Sequence, residues 1–450
     1  MNPAIRHKDE VAEQAGNGPG PDPFASAVEP AAVPDSQVAQ DRTVPPAPVA
    51  PPNLADYAPI IGQSELDELR YLAQGLEGKT VKMVNSTAVG GGVAEMLNRL
   101  VPLLDELGVR THWEVITGGN DFFEVTKAFH NALHGAEYKL TVEAEKVYLA
   151  CNEQNRKHMQ FGEDYVVIHD PQPAALVQER EGNARWIWRC HIDLSKPNHE
   201  VWQFLRPMIE RFDAAIFSSQ SFAQKLAIPQ YLFYPCIDAL SEKNKELEES
   251  VIQKTCDEFG IDRTRPIVTQ VSRFDRLKDP VGVIRAYKMA KQYVDCQLVL
   301  AGGGATDDPE GAAVLKEAMA AADNDPDIII LDLPPWCALE INALQRASTL
   351  IVQKSLREGF GLTVTEALWK AKPTIASAVG GIPNQIIHKL SGMLVHSVEG
   401  CAYQIRYLLT HPEFAQKLGK TGHEHVKENF LMTTNVKRWL LLLRTLQEKQ

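Results

Sequence analysis

The segment Ser355-Leu356-Arg357-Glu358-Gly359-Phe360-Gly361-Leu362-Thr363-Val364-Thr365-Glu366 sets two carboxylates eight residues apart around a turn on two glycines. The glycines let backbone amides approach a ligand, Glu358 hangs on the loop, and Glu366 enters the first turn of the helix that follows. Carboxylates accept hydrogen bonds from vicinal hydroxyls, so the pair suits a sugar or a ribose. The bland alternative is that Glu366 complements the helix dipole. A second segment, Val271-Ser272-Arg273-Phe274-Asp275-Arg276-Leu277-Lys278-Asp279-Pro280, places Arg273 and Lys278 just beyond an apolar run. The Arg273 guanidinium can grip two phosphate oxygens while the Lys278 ammonium supplies a point charge, and together they suit a diphosphate. Basic residues in such a loop can also be merely solvated. A third segment runs from Val81–Val84 through Gly90, Gly91 and Gly92 into the amphipathic stretch Val93–Leu107. Its helix N-terminus favours an anion or a polar ligand beside Gly91 and Gly92, with a plain tight turn as the other reading. Gly90-x-Gly92-x-x-Glu95 and Gly302-x-Gly304-x-x-Asp307 both lack the third glycine of a dinucleotide fingerprint, and no GxxxxGK[ST] loop is present. An NAD enzyme and a P-loop NTPase are therefore disfavoured.

These segments need a scaffold, and the sequence describes one. After a helical stretch near Ser64–Gln74, short β-branched or aromatic runs alternate with amphipathic segments, the pattern of a parallel sheet covered by helices. In the first half the expected strands are Val81–Ser86, Thr111–Ile116, Tyr165–His169, Trp186–His191 and Ala214–Ser218. The second half restarts with Ile267–Val271, Gln297–Ala301, Ile328–Leu331, Thr349–Val352, Thr374–Ala378 and Met393–Val395. Two doubly wound domains facing a cleft are expected, with ligands at the carboxyl ends of the strands. Asp238–Arg265 reads as a charged linker with one exposed helix.

The chain has 450 residues, 44% hydrophobic and 23% charged, long enough for two or three domains. With 58 acidic against 46 Lys and Arg residues the formal charge is -12, which argues against nucleic acid or an anionic membrane as partner. No apolar run is long enough to span a bilayer. Seven cysteines without a CxxC pair fit reduced, buried thiols better than disulfides or a structural zinc site. The opening MNPAIRHKDE holds no apolar signal-peptide core, so a cytoplasmic location is expected. Residues 1–53 contain 11 of the 28 prolines and no Leu, Trp or Tyr, and read as a disordered tail.

Glu358-x7-Glu366 with Gly359-Phe360-Gly361, Arg273-x4-Lys278 and Gly380-Gly381-Ile382-Pro383 together resemble the retaining GT-B glycosyltransferases of the sucrose-synthase and glycogen-synthase-like kind. Val84-Asn85-Ser86-Thr87, Ile168-His169-Asp170-Pro171-Gln172-Pro173, Trp186–Asp193 and Val352-Gln353-Lys354-Ser355 resemble, more narrowly, the glycosyltransferring trehalose synthase family, a pattern that fungal trehalose phosphorylase largely shares. The resemblance covers Lys79 to Phe430. It implies an N-terminal acceptor domain over 54–263, a C-terminal donor domain over 264–428, and a last helix over 429–450 that crosses back to the first domain.

The same resemblance implies roles. Arg273 and Lys278 would hold the donor diphosphate, Glu366 the ribose, and Glu358 with the Gly359, Phe360, Gly361 and Leu362 amides the donor sugar. His191 would face that sugar near its anomeric carbon, a core histidine being the alternative. Asp193, His169 and Asp170 would meet the acceptor, Gly91 and Gly92 the phosphates or acceptor, and Leu333 and Trp336, beside Pro334, the base. The expected reaction is retaining, reversible glucosyl transfer from a nucleoside diphosphate glucose to free glucose, giving trehalose. No metal site or cofactor is required, and stimulation by Mg²⁺ is left open. The partners are then small sugar and nucleotide-sugar substrates, and a homodimer is compatible with the sequence. Phosphorolysis of trehalose, with inorganic phosphate at the Arg273–Lys278 site, is the nearest rival. A catalytically silent sugar-nucleotide-binding protein is the alternative of another class.

Overall fold

The computed structural model describes residues 52–88, 92–180, 182–303 and 309–448. The tail expected over 1–53 lies outside these apart from Pro52 and Asn53, and so do Gly90, Gly91, Gly304 and Asp307.

Two six-stranded, wholly parallel sheets form the framework. The first contains β1 (Thr80–Asn85), β2 (Arg110–Val115), β3 (Tyr165–His169), β4 (Arg185–Arg189), β5 (Ala214–Phe217) and β6 (Gln230–Leu232), in the order β2-β1-β3-β4-β5-β6. The second contains β7 (Ile267–Val271), β8 (Gln297–Gly302), β9 (Ile328–Asp332), β10 (Leu350–Gln353), β11 (Thr374–Ser377) and β12 (Met393–Val395), ordered β12-β11-β10-β7-β8-β9. Helices cover both faces, so central strands such as YVVIH and IVTQV are buried along their whole length. The order in which strands are added to the sheet reverses between β1 and β3 and between β7 and β10, and at such switch points the loops part to leave a crevice. The loops carrying Arg273 and Glu358 leave β7 and β10, the two strands flanking the second crevice.

Two expectations need correcting. The sixth strand of the first sheet is absent from the sequence reading because β6 is a three-residue edge strand with no apolar run to betray it. The segment 238–265 is no loose linker. Its helix Glu249–Glu258 buries Ile252, Thr255 and Cys256, the thiol side lying in one apolar cluster with Leu344 of the helix Ala338–Ala347.

The chain passes between the sheets twice, and the two crossings are paired. Ile237 N–H donates to the Phe430 carbonyl and Met432 N–H to the Ile237 carbonyl, both at 2.9 Å. Tyr234, Phe360, Phe430 and Leu431 pack around them. The final helix, Met432–Gln447, returns to the first sheet and buries Val436, Trp439, Leu440 and Leu443 among Leu69, Leu97, Leu100 and Leu104. All seven cysteines are buried thiols. Among the described residues no helix is long and apolar enough to cross a membrane.

Candidate active site

Three ties hold the loops after β7 and β10 together. Lys278 Nζ lies 2.6 Å from Glu358 Oε2, with side chains 18% and 9% exposed, and Ser355 Oγ donates to the same carboxylate oxygen at 3.1 Å. Leu356 N–H donates to the Leu277 carbonyl at 2.7 Å. Lys354, largely buried, pairs with Asp279, whose other oxygen caps the helix Pro280–Lys291 through Gly282 N–H. Arg273 stays 63% exposed, with a 3.4 Å approach to Asp275, so its guanidinium can still meet an anion. A third loop closes on these. Gly380 has φ +54°, and a Cβ there would lie 1.6 Å from the Glu358 carbonyl oxygen, so only glycine lets the 380–381 turn, with Gly381 N–H donating to the Gly359 carbonyl, seat the carboxylate loop.

Glu366 sits apart from Glu358. It lies in the second turn of the helix Leu362–Trp369, so the expected first-turn position and the dipole explanation are both set aside. It is buried and opens onto a cavity of about 480 Å³ shared with Gly92, Glu95, Lys243, Ala338 and Leu362. Burial raises the Glu366 pKa, opposed by the Lys243 and Lys370 ammonium groups. Lys243 Nζ donates to both Glu95 oxygens at 2.9 and 3.1 Å; burial lowers its pKa, but Glu366 and Glu95 outweigh that and raise it. Gly92 and Leu362 bring the sheets' loops to van der Waals range, a Cβ on Gly92 falling 3.6 Å from Leu362 Cδ1. Gly91 lies outside the described residues.

On the first sheet, β4 ends at Arg189, so His191 stands in the loop beyond it and is half-buried. Asp170, in the left-handed region at φ +66°, accepts the His191 N–H at 2.7 Å and thereby fixes that loop. His169 is wholly buried and meets His191 ring to ring, Nδ1 to Nε2 at 3.0 Å. The acceptor role expected of His169 therefore does not fit: as the last residue of a strand covered on both faces, it points into protein and not into the cleft. The Leu333 side chain packs with Ile261, Val299 and Ala301 in a core cluster. Trp336, half-buried, is left as the base-facing candidate beside the cavity-lining Ala338. The Phe360 ring packs at the crossing with Tyr234 and Phe430, leaving only its backbone for a ligand.

The sequence reading missed the residues that meet across the cleft. Arg357 reaches the His134 carbonyl at 3.4 Å, and Asn384 Nδ2 donates to Ser219 Oγ at 2.9 Å. His134 lies 4.7 Å, ring to ring, from His130, and burial first, then that neighbour, holds its pKa down to about 4 although the Asp193 carboxylate opposes them. Asp193 Oδ1 accepts the Ser195 N–H at 2.8 Å. Arg357 lay inside the glycine-turn motif and Asn384 directly after Gly380–Pro383, so adjacency was the only signal for either.

Burial and the nearby Arg189 guanidinium depress the His169 pKa to about 3 and hold His191 well below 6.5. Both rings are neutral when folded and gain protons near pH 6.5 when unfolded. Their contribution to stability is therefore complete above about pH 6.5 and declines as pH falls below it, by about 1.4 kcal/mol per unit for each ring. Asp170, raised by burial to about 6, works in the opposite direction between about pH 6 and 4. Urea denaturation should show lower stability at pH 5 than at pH 7, with a shallower decline in His169→Gln. Equal slopes in the two proteins would refute the assignment.

The sequence profile of "Trehalose synthase, N-terminal domain" matches residues 83–224, and that of "Glycosyl transferases group 1" matches residues 251–425. The trehalose synthase of Thermococcus litoralis is 47% identical over 398 residues, covering 87% of this chain and 97% of its own length. That of Rubrobacter xylanophilus is 45% identical over 389 residues, covering 84% and 93%. Trehalose phosphorylase of Pleurotus pulmonarius is 29% identical, and the alignment takes in 60% of its length. Among solved structures, sucrose-phosphate synthase from Thermosynechococcus elongatus superposes with a TM-score of 0.64 at 18% identity, covering 83% of this chain and all of that one. The trehalose-6-phosphate protein from E. coli bound with UDP-2-fluoro glucose gives 0.66 at 14%, covering 81% and 99%. At such identities these two structures speak for the fold alone.

Proposed function

The chain belongs to the trehalose synthase family of GT-B glycosyltransferases, and from that premise we propose that it moves a glucosyl group from a nucleoside diphosphate glucose to the anomeric hydroxyl of free glucose. The product is α,α-trehalose, formed reversibly and with retention. The observation that carries the nucleotide-dependent reading is Glu366, a buried carboxylate opening on a cavity between the two sheets. A ribose has vicinal hydroxyls for it; inorganic phosphate has none.

In this reading the diphosphate lies against Arg273 and Lys278, and its departure builds negative charge that the two fixed cations stabilise more in the transition state than in the ground state. No resident metal is required for that step. Glu358 and the backbone of Gly359–Leu362 orient the donor sugar. The leaving phosphate takes the acceptor proton, so no side chain acts as nucleophile. The acceptor glucose lies on the first sheet's loops, against Asp193, and His191 faces the donor sugar near its anomeric carbon. The buried thiols support a reducing, cytoplasmic setting.

Titrating nucleoside diphosphate by calorimetry tests this. Glu366→Gln should weaken binding by about 1.5–3 kcal/mol, while binding of inorganic phosphate is unchanged. An unaltered dissociation constant would transfer the preference to phosphorolysis, which an assay of trehalose with phosphate would then reveal.

A further inference from the structure

We propose that His169 is a positioning residue that fixes which nitrogen of His191 carries the proton, so that His191 presents Nδ1–H to the donor sugar. The proposal rests on the reading above that His191 faces that sugar. The two rings lie nearly parallel, 14° between their planes with centroids 5.3 Å apart, and a single hydrogen bond joins His169 Nδ1 to His191 Nε2 at 3.0 Å. Between two neutral imidazoles that bond needs one N–H and one lone pair, so the tautomers of the two rings are locked to each other. If His169 donates, its own Nε2 is bare and His191 is left with Nδ1–H. If His191 donates, His169 Nε2 must carry a proton and His191 Nδ1 is bare.

The surroundings of His169 decide between these. Its Nε2 is fully buried and has no hydrogen-bond partner among the described residues. A proton there would be a buried donor with no acceptor. The Arg189 guanidinium, itself buried and acting electrostatically on both rings, favours a lone pair over an N–H in its field. His169 is therefore the donor and His191 Nε2 the acceptor. The His191 backbone is held separately by Asp170, so the half-buried ring is fixed in place by one residue and in protonation by another. An N–H donor there can bond to a hydroxyl oxygen of the donor sugar, which a bare nitrogen could do only by accepting.

The test is a long-range ¹H–¹⁵N spectrum of the full chain with ¹⁵N-labelled histidine, His191 being assigned by its absence in His191→Ala. The proposal expects bare Nε2 and protonated Nδ1 for His191. In His169→Phe, which keeps a buried ring and loses the bond, His191 should show protonated Nε2, with kcat lowered roughly 10–100-fold, the scale seen when a residue orienting a working imidazole is lost. His169→Asn, whose amide nitrogen can occupy the place of Nδ1, should restore both tautomer and rate. Protonated Nε2 in the unaltered protein overturns the proposal even if His169→Phe fails to fold. Full activity in His191→Ala would instead overturn the reading of the site on which it stands, whatever the spectrum shows.

Discussion

Lys278→Ala should lower kcat by about 10²–10³-fold while changing KM for the donor far less, the pattern of a charge contact that strengthens as the leaving group departs. Lys278 is held by Glu358 at 2.6 Å, where Ser355 also binds the carboxylate. That pairing keeps the ammonium aimed between the loops after β7 and β10 and prevents a buried, unpaired carboxylate. In the proposed function the substitution would therefore remove a cation from the diphosphate and free Glu358 from its place beside the donor sugar. Arg273→Ala should also lower kcat, but by a different route: its guanidinium is exposed and only loosely held by Asp275, so in the proposed function the diphosphate itself would have to order it. Lys278→Arg retains the charge and should recover part of the rate. Initial rates at saturating glucose and donor decide the matter. An unchanged kcat with only a raised KM would mean that these groups bind ground and transition states alike.

The site loops were legible because each is a short, contiguous run that follows a strand, so its residue types and its place in the fold are read together. The segments from Val271 to Pro280 and from Ser355 to Glu366 are of this kind. What topology alone brings together was not legible. Lys354 meets Asp279, Lys243 meets Glu95, and Arg357 meets His134 across 75, 148 and 223 residues of sequence. Nothing local marks any of these pairs. His169 shows a second limit. In a strand buried on both faces there is no alternation between polar and apolar positions, and the side on which the last residue projects cannot be inferred. Edge strand β6 fails for the opposite reason, being too short and too exposed to carry a pattern.

Trp439→Ala should destabilise the first domain by about 3–5 kcal/mol, because a large buried aromatic leaves a cavity that the two helices beside it cannot close. Trp439 is 1% exposed and meets Phe233 edge-to-face at 5.3 Å and 88°. It belongs to the cluster through which the final helix holds Gln63–Gln74 and Gly92–Glu106 against the first sheet. The helix Gly92–Glu106 also presents Gly92 and Glu95 to the cavity of Glu366, so loosening its far side should disturb that cavity's wall from behind. Truncation before Thr433 goes further, removing the helix that follows the paired crossing at Ile237 and Met432. With two domains the unfolding need not be two-state, so calorimetry should be read transition by transition. The transition of the first domain should move down in Trp439→Ala while that of the second domain stays, and Trp439→Phe should lose less. If neither the melting profile nor the rate responds to truncation, the final helix is a passenger, and the first domain is held together by its own core alone.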